Sequence, residues 1–379
     1  MHVGYSVIFQ GSADPAADGE VWRDEIALAD RAEPLGFDSI WSVEHHFTSY
    51  TMCPDPLTFL SFMAGRTRQI KLGSMVVVLP WHDPIRVAEQ VVMLDTMSGG
   101  RFVLGLGRGL GRVEFDGFRV PMGESRERFT ESAQFLLQAL ETGVADFDGT
   151  HVHQPRRHLR PAPMLSFKGR VYASSVSPES WPIMARLGIG ILIVPQKPWP
   201  TVVEELNGYR ELYEQVNGEP APAPLVAHWT FVDEDAGRAR ELGRHYLGGY
   251  YESVIDHYEF TAGHLSSTKG YEHYGKVGES IDKHGASSHI DFFADLQVYG
   301  TPAQCIDRIA DIQRMTGAEG VMCVGRYADM TAAEGLRNQE LFARSVMPAI
   351  RGLGPNPWFD SLRPAPSALT GAGAGSVTR

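Results

Sequence analysis

The feature that most restricts this chain is a repeated change of period. Apolar or β-branched runs bounded by Gly and Pro alternate with stretches of helical spacing, at residues 3–9, 39–43, 70–79, 102–106, 171–174, 189–194, 225–231 and 320–324. Each run is short enough for a strand, and the stretches between them are long enough for a helical crossover. Strands joined by crossovers pair in parallel, and eight of them is the count that closes a (β/α)8 TIM barrel. A doubly wound open sheet shows the same alternation, so the strand count by itself leaves that alternative standing.

The helices carry their own punctuation. Trp22, Ile26, Ala29 and Ala32 share one face of a helix that ends at Leu35-Gly36. A second, over 84–94, opens on Pro84, where a missing N–H costs nothing. A third, over 302–315, has Thr301 as its expected N-cap and stops before Gly317. The rhythm breaks twice. Between the seventh and eighth strands an insertion at 250–299 is rich in Gly, His, Ser and Tyr, which reads as a lid. Residues 354–379 carry Pro, Ala and Gly with little apolar pattern and read as a tail, leaving 1–353 as one domain.

Composition excludes several functions. With 43% hydrophobic residues the chain can build a large core, and a formal charge of -12 with no basic cluster argues against nucleic acid. Cys53, Cys305 and Cys323 are too scattered for a disulfide framework or a zinc knuckle. No apolar run approaches the roughly 20 residues of a membrane helix. The opening Met1-His2-Val3-Gly4-Tyr5 lacks a leader pattern, so a cytoplasmic protein is expected.

Chemistry in a barrel gathers at the C-terminal ends of the strands. The second strand leaves through Glu44-His45-His46-Phe47, a carboxylate and two imidazoles that are expensive to bury without purpose. Metal ligation by Glu44, His45, His46 and His82 is disfavoured, because adjacent strand residues face opposite ways. The fourth strand runs into Gly105-Leu106-Gly107-Arg108-Gly109-Leu110-Gly111, whose alternate glycines suit close approach to a bulky ligand. No frame of it gives the dinucleotide fingerprint. Arg108 is a phosphate fork in waiting. The fifth strand ends in Ser174-Ser175-Val176-Ser177-Pro178-Glu179, hydroxyls leading into a helix N-terminus, where anions bind.

Together these residues resemble the bacterial luciferase-like flavin monooxygenases, with most likeness to the luciferase catalytic subunit, over about residues 1–351. The most specific pieces are Gly36-Phe37-Asp38-Ser39-Ile40-Trp41 with Glu44-His45-His46-Phe47-Thr48, and Asp95-Thr96-Met97-Ser98-Gly99-Gly100-Arg101-Phe102. Arg108-Gly109-Leu110, Glu124-Ser125-Arg126, Thr268-Lys269-Gly270-Tyr271 and Gly300-Thr301-Pro302-Ala303-Gln304-Cys305 follow in the same order. The resemblance implies a (β/α)8 barrel with FMN at its rim, reduced by a separate flavin reductase. Reaction with O2 then gives a flavin hydroperoxide that oxygenates a small organic substrate. It places His45 on the active-site histidine, with Glu44 beside it, and Arg108, Arg126, Ser174, Ser175 and Ser177 around the flavin phosphate. Leu110 falls against the flavin ring and Met75–Val76 on a non-proline cis peptide beneath it. Residues 250–299 correspond to the mobile lid; 255–299 are expected to close, with Gly263, Gly270, Gly275, Gly278 and Gly285 as hinges and Lys269, Tyr271 and Tyr274 over the flavin. A homodimer is also implied, and no metal.

Three departures stand out. Gly107 and Gly111 replace a cysteine and a tyrosine of the luciferases, which suggests more room for substrate and argues against light emission. Ser174 replaces an acidic residue. Two rival readings use the same fold: an oxidoreductase that takes hydride from a deazaflavin, and a non-catalytic flavin-binding subunit.

Overall fold

The computed structural model describes residues 1–174 and 176–354. Its centre is a closed parallel barrel of β1 (His2–Val7), β2 (Ser39–Ser42), β3 (Lys71–Ser74), β4 (Phe102–Gly107), β5 (Val171–Ser174), β6 (Gly190–Ile193), β7 (Leu225–Val232) and β8 (Gly320–Val324). Closure is explicit in the register. β1 lies between β2, through Gly4↔Ser39, and β8, through His2↔Gly320, while β7 joins β6 to β8. An open sheet is thereby excluded.

The strands are buried along nearly their whole length, as a parallel sheet covered on both faces requires. Two cores result. A broad one fills the space between strands and helices, and a small one plugs the barrel with Trp41, Val103, Tyr172, Leu192, Leu225, Ala227 and Met322. Below that plug, Arg170 pairs with Asp95 at 2.8 Å, and Arg101 donates to the carbonyls of Ala64, Ile70 and Ser98. The Asp95–Phe102 motif therefore serves architecture at the end remote from the rim.

The elements follow the sequence signals closely. The helix opening on Pro84 runs Pro84–Ser98 and ends on a left-handed Gly99. Pro302–Thr316 begins with a reciprocal capping box between Thr301 and Gln304 and ends at Gly317. The run at 70–79 is the exception. It breaks after Ser74, the Met75–Val76 peptide is cis, and only Val77–Val78 resumes pairing, with Leu106 and Gly107 of β4. This bulge presses on β4: a Cβ at Gly105 would lie 1.9 Å from the Ser74 carbonyl oxygen, and one at Gly107 2.3 Å from Val76 Cγ2. These glycines admit neighbouring protein, where the sequence pattern suggested a ligand.

Two further differences concern the connections. An exposed antiparallel hairpin, Val144–Asp148 with His153–His158, was not anticipated between β4 and β5. The insertion after β7 begins with a long helix, Ala236–His257, so residues 250–257 belong to that helix. The helices His264–Ser267, Glu272–His284 and Ala286–Leu296 follow, and Val298–Gly300 then pairs with the end of β7. Gly275 and Gly278 are not hinges. They lie inside Glu272–His284, where a Cβ would meet Ser266 and the Phe260 carbonyl oxygen at 2.4 and 1.9 Å. Residues 355–379, expected as a tail, lie outside the described residues.

Candidate active site

A cavity of about 180 Å³ opens at the C-terminal ends of the strands. Ile8 after β1, Val43 and His45 after β2, Met75 and Val76, Gly107 to Leu110, Ser174, Val194 and Trp229 form its wall, and Tyr250, Tyr258 and Tyr274 of the insertion cover it.

Two glutamates, each clasped by two histidines, flank the exit of β2. Glu44 is buried, and its oxygens accept from His82 Nε2 at 2.6 Å, His46 Nε2 at 3.1 Å and the Val78 amide at 2.7 Å. Burial alone would raise this carboxyl, but the bonds from His46 and His82 outweigh it and lower the pKa. His82 is raised in turn, burial being overcome by Glu44. Glu44 thus fastens β2 to the backbone just past the cis peptide. It forms part of the cavity wall, but its oxygens are taken and it makes no bond to His45.

His45, beyond the end of β2, turns to a different carboxylate. Its Nδ1 lies 3.0 Å from Glu114 Oε1, which also accepts the His46 amide at 2.9 Å. Glu114 Oε2 lies 3.5 Å from His257 Nε2, and His257 Nδ1 pairs with Thr48 Oγ1 at 2.9 Å. Donor atoms of His45, Glu114 and His257 lie within 4.8 Å of one another. Burial would raise the Glu114 carboxyl, yet the histidines beside it, His45 foremost, hold it down at about 2. A carboxylate only accepts, so His45 carries its proton on Nδ1 and keeps the Nε2 lone pair free when neutral. That ring, 18% exposed, is the member of the cluster open to the cavity.

Sequence reasoning missed Glu114 and His257. One signal was present: Gly111. A Cβ there would sit 2.5 Å from Glu114 Oε2 and 3.0 Å from His257 Nε2. The space expected to open at Gly107 and Gly111 is therefore filled, by Val76 in one case and by Glu114 with His257 in the other.

At the opposite side of the cavity the expected phosphate residues converge. Arg108 Nη1 and Arg126 Nη2 both donate to the Gly270 carbonyl, at 2.8 and 3.2 Å. Arg126 also approaches Glu179 at 3.5 Å, and its buried Nε has no partner. Ser174 and Ser180 line the cavity beside them. Ser180 was not anticipated. Ser177 instead lies beneath the loop, bonded to Ser180 Oγ at 2.7 Å, and Ser175 lies outside the described residues. The helix Ser180–Leu187 starts there without a side-chain cap, but the Ser180 amide donates to the Ser177 carbonyl at 3.0 Å and Pro182 has no amide N–H to offer. Of the residues expected over the flavin, only Tyr274 lines the cavity. Tyr271 is buried with its hydroxyl on the Gly109 carbonyl and Ser125, under the Arg108 guanidinium, and Lys269 pairs outside with Glu127.

The family model for luciferase-like monooxygenases matches residues 1–319. The chain belongs to that family. Among luciferase-like relatives it is similar to the alkanal monooxygenase alpha chain of Photorhabdus luminescens, 28% identical over 88% of this chain and 93% of the relative. It is equally similar, at 28% over 88% and 87%, to the 4-hydroxyprotoasukamycin monooxygenase of Streptomyces nodosus subsp. asukaensis. In structure it resembles the monooxygenase RslO1 of Streptomyces bottropensis, with a TM-score of 0.72 at 25% identity over 92% of this chain and 99% of that one. A coenzyme F420 dependent tetrahydromethanopterin reductase from Methanopyrus kandleri shares the fold, with a TM-score of 0.63 at 17% identity over 92% and 98%.

Proposed function

We propose that this chain is an FMN-dependent monooxygenase, supplied with reduced FMN by a separate reductase and using O2 to oxygenate a small organic substrate. The observation that carries the reading is the convergence of Arg108 and Arg126 on one carbonyl oxygen, with Arg126 Nε buried and unpartnered beside Ser174 and an uncapped helix start. Two guanidiniums with serine hydroxyls are donors suited to a phosphate monoester. The flavin ring would lie along Met75, Val76 and Leu110, and when bound it supplies the oxygen-activating chemistry. The protein's own contribution is to orient, to exclude water under Tyr250, Tyr258 and Tyr274, and to move a proton at His45 Nε2. Glu114 holds His45 in the tautomer that frees Nε2, while Glu44 holds the backbone. We propose that the segment over the cavity acts as the lid.

A second copy of this chain is the proposed partner besides the reductase. Phe62 on Pro56–Arg66, with Met93 and Met97 on the adjoining Pro84–Ser98, are large apolar side chains left 46–55% exposed. No described helix is long and apolar enough to cross a membrane.

The test is titration of the purified chain and its Arg126→Met variant with FMN, alongside O2 consumption with reduced FMN or reduced deazaflavin. Loss of one charged hydrogen-bond donor should weaken FMN binding by about 1.5–3 kcal/mol. Equal affinity in the two proteins, or turnover with reduced deazaflavin and no O2 uptake, would overturn the reading.

A further inference from the structure

The cavity has a second wall with its own unmet hydrogen-bonding needs. In a closed ring of eight strands β7 stands across from β3, so Trp229 of β7 faces the Met75–Val76 side of the rim. Trp229 is 6% exposed, and its Nε1 is buried without a hydrogen-bond partner. Thr51, 2% exposed, lines the same cavity, and its Oγ1 is likewise unpartnered. Buried polar groups are nearly always bonded, so two such atoms lining one cavity mark where a ligand supplies the partner.

The surroundings define that ligand. The Trp229 indole packs on Tyr250 with ring centroids 4.4 Å apart. The Tyr250 hydroxyl meets that of Tyr50 at 2.6 Å, and Tyr50 lies edge-on to His45 at 4.9 Å. Ring contacts thus run from Trp229 through Tyr250 and Tyr50 to the imidazole, with Glu114 behind it. The two arginines of the cavity stand together elsewhere, against Gly270. Aromatic surfaces favour planar rings stacked or set edge-to-face. An indole N–H only donates, so the atom it meets must be an acceptor.

We propose that Trp229, with Thr51, selects an uncharged aromatic substrate bearing a ring oxygen, of the quinone or phenol class. This rests on the flavin reading above, which assigns the facing wall to the cofactor. Trp81 Nε1 is also buried and unpartnered, but it lies on the cofactor side, against Gly109.

The experiment is calorimetric titration of the full-length chain, with and without oxidised FMN, using menadione, naphthalene and decanal as probes. Menadione offers only acceptors, naphthalene has the ring without oxygen, and decanal has a carbonyl without the ring. Menadione should bind about three- to tenfold more tightly than naphthalene, the range of one neutral hydrogen bond. Trp229→Phe should erase that difference while naphthalene and FMN affinities stay unchanged. Should that variant fail to fold, Thr51→Val should weaken menadione about threefold and leave naphthalene alone. Equal binding of menadione and naphthalene, tighter binding of decanal, or a preference surviving the substitution that folds would each overturn the assignment. FMN affinity, read on the same samples, separates failure of the cofactor reading from failure of this one.

Discussion

The two histidine-clasped glutamates at the end of β2 are built from the same parts and have opposite surroundings. Glu44 takes two imidazoles, neither of which lines the cavity, and the Val78 amide, and fixes the backbone beside the cis peptide. Glu114 accepts from one imidazole and an amide, and that imidazole, His45, opens into the cavity, while His257 of the insertion stands 3.5 Å from its other oxygen. The difference teaches that residue type did not assign the roles. The chain path beyond β2 did, by sending His45 to Glu114 and His46 to Glu44.

The sharpest way to break this comparison is to remove His45, the imidazole of the Glu114 cluster that opens into the cavity. His45→Ala should lower turnover by about 10²–10⁴-fold, the usual worth of a positioned acid–base group, with FMN affinity unchanged. Steady-state oxygenation beside an FMN titration would show it, and unaltered turnover with unaltered coupling would reduce His45 to a structural residue.

Acid should separate the clusters next. The Glu114 carboxyl falls from an ordinary 4.5 to about 2 in the fold. A depressed carboxylate stabilises the native state fully above pH 4.5 and loses that contribution as pH falls towards 2, on the order of 3 kcal/mol in all. Glu114→Gln should flatten this part of the acid limb in a denaturant series from pH 5 downwards. A limb as steep as in the native protein would transfer the effect to other carboxylates.

The smallest effect is expected at Glu44→Gln, which keeps an oxygen for the Val78 amide and loses the charge. About 2 kcal/mol of stability should go, as for hydrogen bonds to a charged group. His82, raised by Glu44, contributes stability below pH 6.5 that is lost as pH rises through its elevated value, and the variant should no longer show that loss. If stability held while turnover collapsed, Glu44 would belong with the chemistry after all.

What was legible in the sequence is what depends on local period. Strand-length apolar runs, Pro84 at the head of one helix, and Thr301 and Gly317 at the two ends of another all appear where the pattern puts them, although the Pro84 helix runs on past residue 94 to Ser98. The break at Met75–Val76 is invisible to periodicity, because a continuous apolar run reads as one strand whatever its backbone does. It was anticipated only from the family resemblance. Glu114 looks like any acid in the first turn of a helix, and His257 lies 212 positions from His45 at a helix end with nothing to connect them. Long-range pairings of this sort leave no local trace. Gly111, read as room for substrate, was the one visible sign of how closely they pack.

The closure of β1 against β8 also has a bearing on synthesis. β1 comprises His2–Val7 and is buried throughout, but its second neighbour begins only at Gly320. At roughly 5–20 residues per second a ribosome needs on the order of 15 to 60 s to reach that point. For that interval one edge of the first strand has no mate, and the nascent chain must keep an unpaired, mostly apolar edge from other growing chains. The seam that completes the barrel is thus the last to form and the place where crowding, slow codons or a missing chaperone would be felt first.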